Sequence, residues 1–143
     1  MKRGFILLVL LGLLAGWAAS VRAQAPIAIV AFGDSWTEGR YVDRGGVYPA
    51  QLEAALRDKG YAVTVQNAGV DGDRSDNAVA RRDLSVPPGT KIALVEFGLN
   101  DARAMGHLPP VDPAAIKANL DAVVRGLQAR GVEVLLIGAR GLD

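Results

Sequence analysis

The chain has 143 residues, half of them apolar, and its 16 basic residues nearly balance its 15 acidic ones. This composition is typical of one globular domain and excludes a disordered chain. No basic face dominates, so we expect no nucleic-acid partner. The absence of cysteine excludes disulfides and a lipid anchor on cysteine.

The first 23 residues have the pattern of a cleavable signal peptide. Lys2-Arg3 forms a short basic region, and residues 5–19 form an apolar run that is short for a membrane span. Val21-Arg22-Ala23 fits the small-residue cleavage pattern, and cleavage there leaves 13 basic and 15 acidic residues. We therefore expect a domain over residues 24–143 that is periplasmic or secreted, with no stable membrane insertion. The alternative is an uncleaved membrane anchor.

Four short runs rich in valine and isoleucine predict β-strands over residues 27–32, 62–66, 92–97 and 132–137. Apolar residues at helical spacing predict one helix that begins near Tyr48 and ends at Gly60, and a shorter one over residues 76–83. A third helix begins at Asp112-Pro113 and ends at Gly131. Alternating strands and helices predict an α/β fold with a parallel sheet covered by helices.

Three polar, glycine-bearing segments follow three of these strands. They are Gly33-Asp34-Ser35, Asn67-Ala68-Gly69 and residues 98–101, which read GLND. Because the carboxyl ends of parallel strands meet at one edge of a sheet, we expect the three segments to converge.

The chemistry that such a cluster favours is acyl transfer. Ser35 is the candidate nucleophile, and the backbone N–H groups of Ser35 and Gly69 are candidate donors to the oxyanion. The side-chain amide of Asn100 is a third, and a glycine at 69 would let a substrate oxygen approach the backbone. We expect Asp34 and Asp101 to support the site, or to satisfy loop donors as ordinary turn residues.

With these three blocks in this order, the chain resembles the SGNH (GDSL-type) hydrolases, and among them the thioesterase I, lysophospholipase and arylesterase branch. The resemblance runs from about Ile27 to the end of the chain. It implies a flavodoxin-like three-layer α/β/α fold and hydrolysis of a small acyl ester, a thioester or a lysophospholipid, with no cofactor. It places the nucleophile on Ser35 and the oxyanion donors on Ser35, Gly69 and Asn100.

The chain departs from the family pattern in two ways. Trp36 stands where the family usually has leucine, and we expect it to alter packing or the acyl pocket beside the nucleophile. The family's late Asp-x-x-His segment and fifth strand are not found, so we expect four of five strands and a domain incomplete at its carboxyl end. His107 is the only histidine. Its third preceding residue is Ala104, and we expect a solvated or substrate-facing loop residue rather than the base.

Two consequences and two alternatives follow. We expect ester hydrolysis by this chain to be negligible or weak, and apolar surface on the fourth strand to stay exposed and favour aggregation. The first alternative is a non-catalytic fragment or decayed esterase. The second is a flavodoxin-like module that binds a flavin phosphate in the first loop, where Asp34 and Glu38 would repel it.

Three further segments carry weaker expectations. Residues 71–76 (DGDRSD) are acidic, but they lack the glycine and glutamate positions of a calcium loop, so we expect no metal. Arg81-Arg82 is predicted to lie on a solvated helix face. Glu96 stands inside an apolar strand, which makes it either a partly buried, paired carboxylate or a residue of a strand nearer the sheet edge.

Overall fold

The computed structural model describes residues 25–40, 42–43, 45–102 and 109–138. The predicted signal peptide and His107 therefore lie outside the described residues. The elements in chain order are β1 (Ile27–Gly33), α1 (Ser35–Glu38), α2 (Tyr48–Asp58), β2 (Val63–Gly69), α3 (Ser75–Ser85), β3 (Ile92–Glu96), α4 (Leu99–Ala102), α5 (Pro113–Gln128) and β4 (Glu133–Leu136).

The four strands form one parallel sheet in the order β2-β1-β3-β4. This confirms the predicted parallel α/β architecture. The strand order changes direction between β1 and β3, which is where ligand sites form in open parallel sheets. β2 is longer than expected, because Asn67, Ala68 and Gly69 pair with β1 instead of following the strand.

Each face of the sheet has its own core, so the fold has three layers. On one face Val30, Phe32 and Val95 pack with residues of α3 and α5. On the other face Ile29 and Leu94 pack under α2. Side chains alternate along a strand, so β1 supplies residues to both cores and is buried from Ile29 onward.

The helix boundaries follow the predicted signals. Asp112 caps α5, where its side chain accepts a hydrogen bond from Ala114 N at 3.0 Å, and proline occupies the first turn. Gly60 and Gly131 follow α2 and α5 with φ of 86° and 75°, a conformation that glycine adopts without strain.

The outer strand β4 is the least covered element of the sheet. Leu135 and Leu136 are 52% and 57% exposed, and Ile137 is 38% exposed. Among the described residues, β4 pairs only with β3. The expected exposure of apolar surface on the fourth strand is therefore observed.

Candidate active site

The three polar blocks lie side by side at the carboxyl edge of the sheet. Gly33 at the end of β1 pairs with Gly69 on one side and with Glu96 on the other. The register thus brings the first block against the second, and the third block continues from Glu96. The predicted convergence of the three segments is present in the fold.

Ser35 is the first residue of α1 and is half-buried. Asp34 caps this helix, because its Oδ1 accepts a hydrogen bond from Trp36 N at 2.9 Å. No described residue forms a hydrogen bond with Ser35 Oγ. The described part of the chain therefore presents the hydroxyl without a group that would take its proton.

Asn100 is 6% exposed and lies next to the residue that precedes Ser35. Its Nδ2 donates to Asp34 Oδ2 at 3.2 Å and to the backbone oxygen of Asp73 at 2.9 Å. These bonds fix the direction of the amide. Both hydrogens are used within the protein, so a substrate oxygen would have to replace one of these acceptors.

Gly69 packs against α1 on the side where any other residue would carry its Cβ atom. A Cβ at this position would overlap the backbone of Thr37 and Glu38. Gly69 N donates to Asn67 Oδ1 at 2.9 Å. The glycine is thus required by the packing of α1 against β2, a reason that differs from the substrate approach expected from the sequence.

Asp101 is 1% exposed and faces α3. Its carboxylate accepts hydrogen bonds from Ser75 N at 3.1 and 2.9 Å and from Ser75 Oγ at 2.5 Å. Asn119 Nδ2 in turn donates to Ser75 Oγ at 3.0 Å. Asp101 therefore joins α4 to the start of α3 and to α5, in agreement with its interpretation as a residue that satisfies backbone donors.

Arg81 was expected on a solvated helix face, and this prediction is wrong. Its side chain is 19% exposed and forms an ion pair with Asp73. Its guanidinium donates to the backbone oxygens of Gly33 and Ala68, each at 2.9 Å. It also lies 4.7 Å from the ring centroid of Phe32.

Arg81 therefore ties the ends of β1 and β2 to α3 at the base of the candidate site. The neighbouring Arg82 is also largely covered: its side chain is 23% exposed, and it donates to Ala122 O at 3.2 Å across the gap to α5. Two consecutive arginines on a helix have the same sequence pattern whether their side chains are covered or exposed, so the sequence could not predict this arrangement.

Glu96 is 7% exposed at the end of the interior strand β3. It is thus a buried, partnered carboxyl, and the edge-strand alternative is wrong. Its Oε2 accepts a hydrogen bond from Thr37 Oγ1 at 3.1 Å, and Thr37 Oγ1 lies 3.3 Å from the hydroxyl of Tyr48.

The ionisation of this network is perturbed. Burial, with a smaller contribution from the charge of Asp34, raises the pKa of Glu96 to about 7. Burial also raises the pKa of Asp34, while the backbone N–H of Trp36 opposes that rise. The pKa of Tyr48 is raised by its burial as well.

A cavity of about 880 Å³ opens beside α1, one turn from Ser35. It runs between α2, β2 and the segment after α1, and Trp36, at 55% exposure, lies on the same short helix. Its lining mixes apolar and charged side chains: Glu38, Gly39, Arg40, Val42, Val47, Pro49, Ala50, Glu53, Val65, Asn67 and Asp71.

Within the described ranges, no three histidine, aspartate or glutamate side chains lie close enough together to hold a metal ion. No helix of the described residues is long and apolar enough to cross a membrane.

The GDSL-like Lipase/Acylhydrolase family matches residues 31–142. Over 132 residues, which are 92% of the chain, the sequence is 29% identical to an arylesterase of Vibrio mimicus and 32% identical to the esterase TesA of Pseudomonas aeruginosa. The chain spans 64% and 63% of the length of these two proteins.

Two solved esterase structures superpose on this chain. AlinE4, an SGNH-hydrolase family esterase, superposes with a TM-score of 0.73 at 37% identity, over 81% of this chain and 60% of AlinE4. The crystal structure of TesA superposes with a TM-score of 0.71 at 29% identity, over 78% of this chain and 60% of TesA. The expected fold class is therefore confirmed.

Proposed function

The chain belongs to the GDSL-like lipase/acylhydrolase family, and on that premise we propose that it is a serine hydrolase that transfers an acyl group from a carboxylic ester or thioester to water. One observation carries the proposal. Asp34 joins the candidate nucleophile to the third block, because its carboxyl caps the helix that begins at Ser35 and accepts the amide of Asn100.

In the proposed reaction Ser35 Oγ attacks the carbonyl carbon of the substrate, and its proton passes to a base. The oxyanion that forms accepts hydrogen bonds from the N–H groups of Ser35 and Gly69 and from the amide of Asn100. It replaces Asn67 Oδ1 as the acceptor of Gly69 N and one of the two acceptors of Asn100 Nδ2. The acyl–oxygen or acyl–sulfur bond then breaks, and the leaving group takes the proton. Water then attacks the acyl carbon and passes a proton to the base, the bond between the acyl carbon and Ser35 Oγ breaks, and Oγ takes the proton as the carboxylic acid leaves.

The base is the missing part of this mechanism in the described residues. His107 is the only histidine of the chain, and it lies outside them. The residue three before His107 is Ala104 and not an aspartate that could orient it. We propose that the 143-residue polypeptide hydrolyses esters slowly, because a serine without an oriented base typically has a turnover about 10⁴- to 10⁶-fold lower.

The substrates that we propose are small aryl esters, acyl thioesters and lysophospholipids. The names of the relatives support ester substrates, since one is an arylesterase and the other an esterase. The cavity beside α1 is lined by Glu38 and Gly39, three and four residues after Ser35, and we propose that it takes one part of such a substrate. Trp36 directly follows Ser35 and is exposed, and we propose that its indole contacts the other part.

Hydrolysis of p-nitrophenyl butyrate by the purified 143-residue polypeptide tests the function. We expect a slow rate above background that Ser35→Ala removes. The matched control is Thr64→Ala, which removes an exposed hydroxyl from β2, away from the site. A rate that Ser35→Ala leaves unchanged would exclude Ser35 as the nucleophile, and a fast, Ser35-dependent rate would overturn the proposed impairment.

We also propose that residues 1–23 direct export of the protein, which then acts in the periplasm or outside the cell. Mass spectrometry of the protein expressed in a bacterial host should give Gln24 as the first residue of the periplasmic form. A full-length chain retained in the membrane fraction would favour the uncleaved anchor.

A further inference from the structure

Two carboxyl groups are buried side by side beneath the candidate nucleophile. Asp34 is 0% exposed and Glu96 is 7% exposed; Glu96 ends β3, and Asp34 directly follows Gly33, the last residue of β1, which pairs with Glu96. In addition to burial, the charge of Asp34 raises the pKa of Glu96, and the backbone N–H of Asp34 opposes that rise. Burial raises the pKa of Asp34, and a hydrogen bond with the Glu96 side chain lowers it. No described lysine or arginine forms an ion pair with either side chain.

Two negative charges in contact and out of water repel strongly, and a shared proton removes that repulsion. The hydrogen bonds decide which residue carries the proton. Asp34 accepts from Trp36 N and from Asn100 Nδ2, and both bonds favour its ionised form. Glu96 accepts only from the Thr37 hydroxyl among side chains, so the proton resides mainly on Glu96.

We propose that Glu96 is a positioning residue for Asn100: it holds one proton jointly with Asp34, and this singly charged pair keeps Asp34 where it accepts the Asn100 amide. The inference rests on the proposed function, in which that amide stabilises the oxyanion. Glu96 belongs to none of the three sequence blocks, and the mechanism above gives it no role.

When the pair loses its proton, the two carboxylates separate, and Asp34 moves relative to Asn100. The groups that face the pair influence where this occurs. Thr37 and, through it, Tyr48 of α2 lie on the Glu96 side. Asp73 and Asp101 add negative charge on the Asp34 side, although Asp73 is paired with Arg81.

The side-chain amide of Asn100 reports on this event directly by NMR. In the wild-type chain we expect its ¹⁵N–¹H resonances to shift with pH with a midpoint near neutrality. Glu96→Gln places a permanent N–H donor where the shared proton lies, so this variant should keep the low-pH resonances from pH 5 to 8.5. The control Glu133→Gln removes an exposed carboxyl from β4 and should titrate like the wild type.

A second variant keeps the inference testable if Glu96→Gln fails to fold. Thr37→Val has nearly the same shape but removes the donor that favours ionised Glu96. We expect its Asn100 midpoint to lie at higher pH than that of the wild type. Asn100 resonances that are constant from pH 5 to 8.5, or a midpoint that neither variant changes, would overturn the proposal.

This measurement is independent of hydrolysis. The Ser35→Ala variant should show the wild-type titration of Asn100, since Ser35 Oγ forms no bond with the pair among the described residues. A titrating Asn100 in a chain that hydrolyses no ester would refute the proposed function alone. A constant Asn100 in an active chain would refute only the role of Glu96.

Discussion

Asn100 Nδ2 lies 3.2 Å from Asp34 Oδ2, so an amide on α4 is bonded to the residue directly before Ser35. The same amide donates to Asp73 O, and Asp73 is held by Arg81. The candidate oxyanion donor is therefore supported from both β1 and the segment before α3. This arrangement connects the position of Asn100 to residues outside the sequence blocks.

Asn100→Ala removes both of these hydrogen bonds. We expect a loss of about 1–3 kcal/mol in the free energy of unfolding, because Asp34 and the Asp73 carbonyl lose a buried donor. Ester turnover should also fall by about 10²- to 10³-fold, as for the loss of one oxyanion donor. Urea unfolding and p-nitrophenyl ester assays measure the two effects. Unchanged turnover in a folded variant would contradict the donor role.

Gly69→Ala tests the contact between α1 and β2. The added Cβ meets the backbone of Thr37 and Glu38, which cannot move as a side chain can. We expect destabilisation by about 1–3 kcal/mol in urea unfolding. Gly138→Ala is the matched control, since a Cβ there meets nothing within 4 Å. Equal stability of the two variants would show that α1 is not packed against Gly69.

Arg81→Lys keeps the positive charge opposite Asp73 but loses the planar group that reaches two strand ends. The carbonyls of Gly33 and Ala68 then each lose the hydrogen bond from Arg81, although Gly33 O keeps the one from Val70 N. We expect a loss of about 1–3 kcal/mol of stability. The control Arg125→Lys changes an exposed arginine of α5 and should have an effect within about 0.5 kcal/mol. A small effect at Arg81 would show that charge alone suffices.

The raised pKa of Glu96 predicts how stability depends on pH. The folded chain binds a proton up to about pH 7, whereas the unfolded chain releases it near the ordinary value of 4.5. The contribution of Glu96 to stability is therefore fully present below about pH 4.5 and falls as pH rises from there to about 7. Above that pH it does not change further. The loss is about 3 kcal/mol at most.

Glu96→Gln isolates this contribution because its side chain does not titrate. The wild type should lose stability relative to Glu96→Gln between about pH 4.5 and 7, with no further relative change above that range. Urea unfolding of both chains at pH 5, 6, 7 and 8 measures the difference. A difference that is constant with pH would show that Glu96 is ionised in the folded chain.

The exposed face of β4 predicts self-association. Leu135→Lys places a charge on this face and should lower the aggregated fraction in light scattering. Leu84→Lys is the control, because Leu84 is 88% exposed but lies on α3. If both substitutions lower aggregation equally, net charge and not the face of β4 is responsible.

Much of the fold could be predicted from local sequence. Val- and Ile-rich runs identified the four strands, and caps such as Asp112 identified the helices, because these signals arise from residues near each other in the chain. The end of β2 was misplaced. Asn67 to Gly69 have turn composition, but pairing with β1 overrides that local preference.

The sequence by itself determined the family, the parallel α/β class and the block that contains Ser35, since each depends on short motifs and their order. Only the tertiary structure decided the surroundings of that block. Arg81 is half-buried and bridges two strand ends, and Glu96 is the partner of Asp34, because their neighbours come from segments 8 to 62 residues away in the chain. Burial and charge at such a site depend on which distant residues the fold brings together, and no local pattern encodes that.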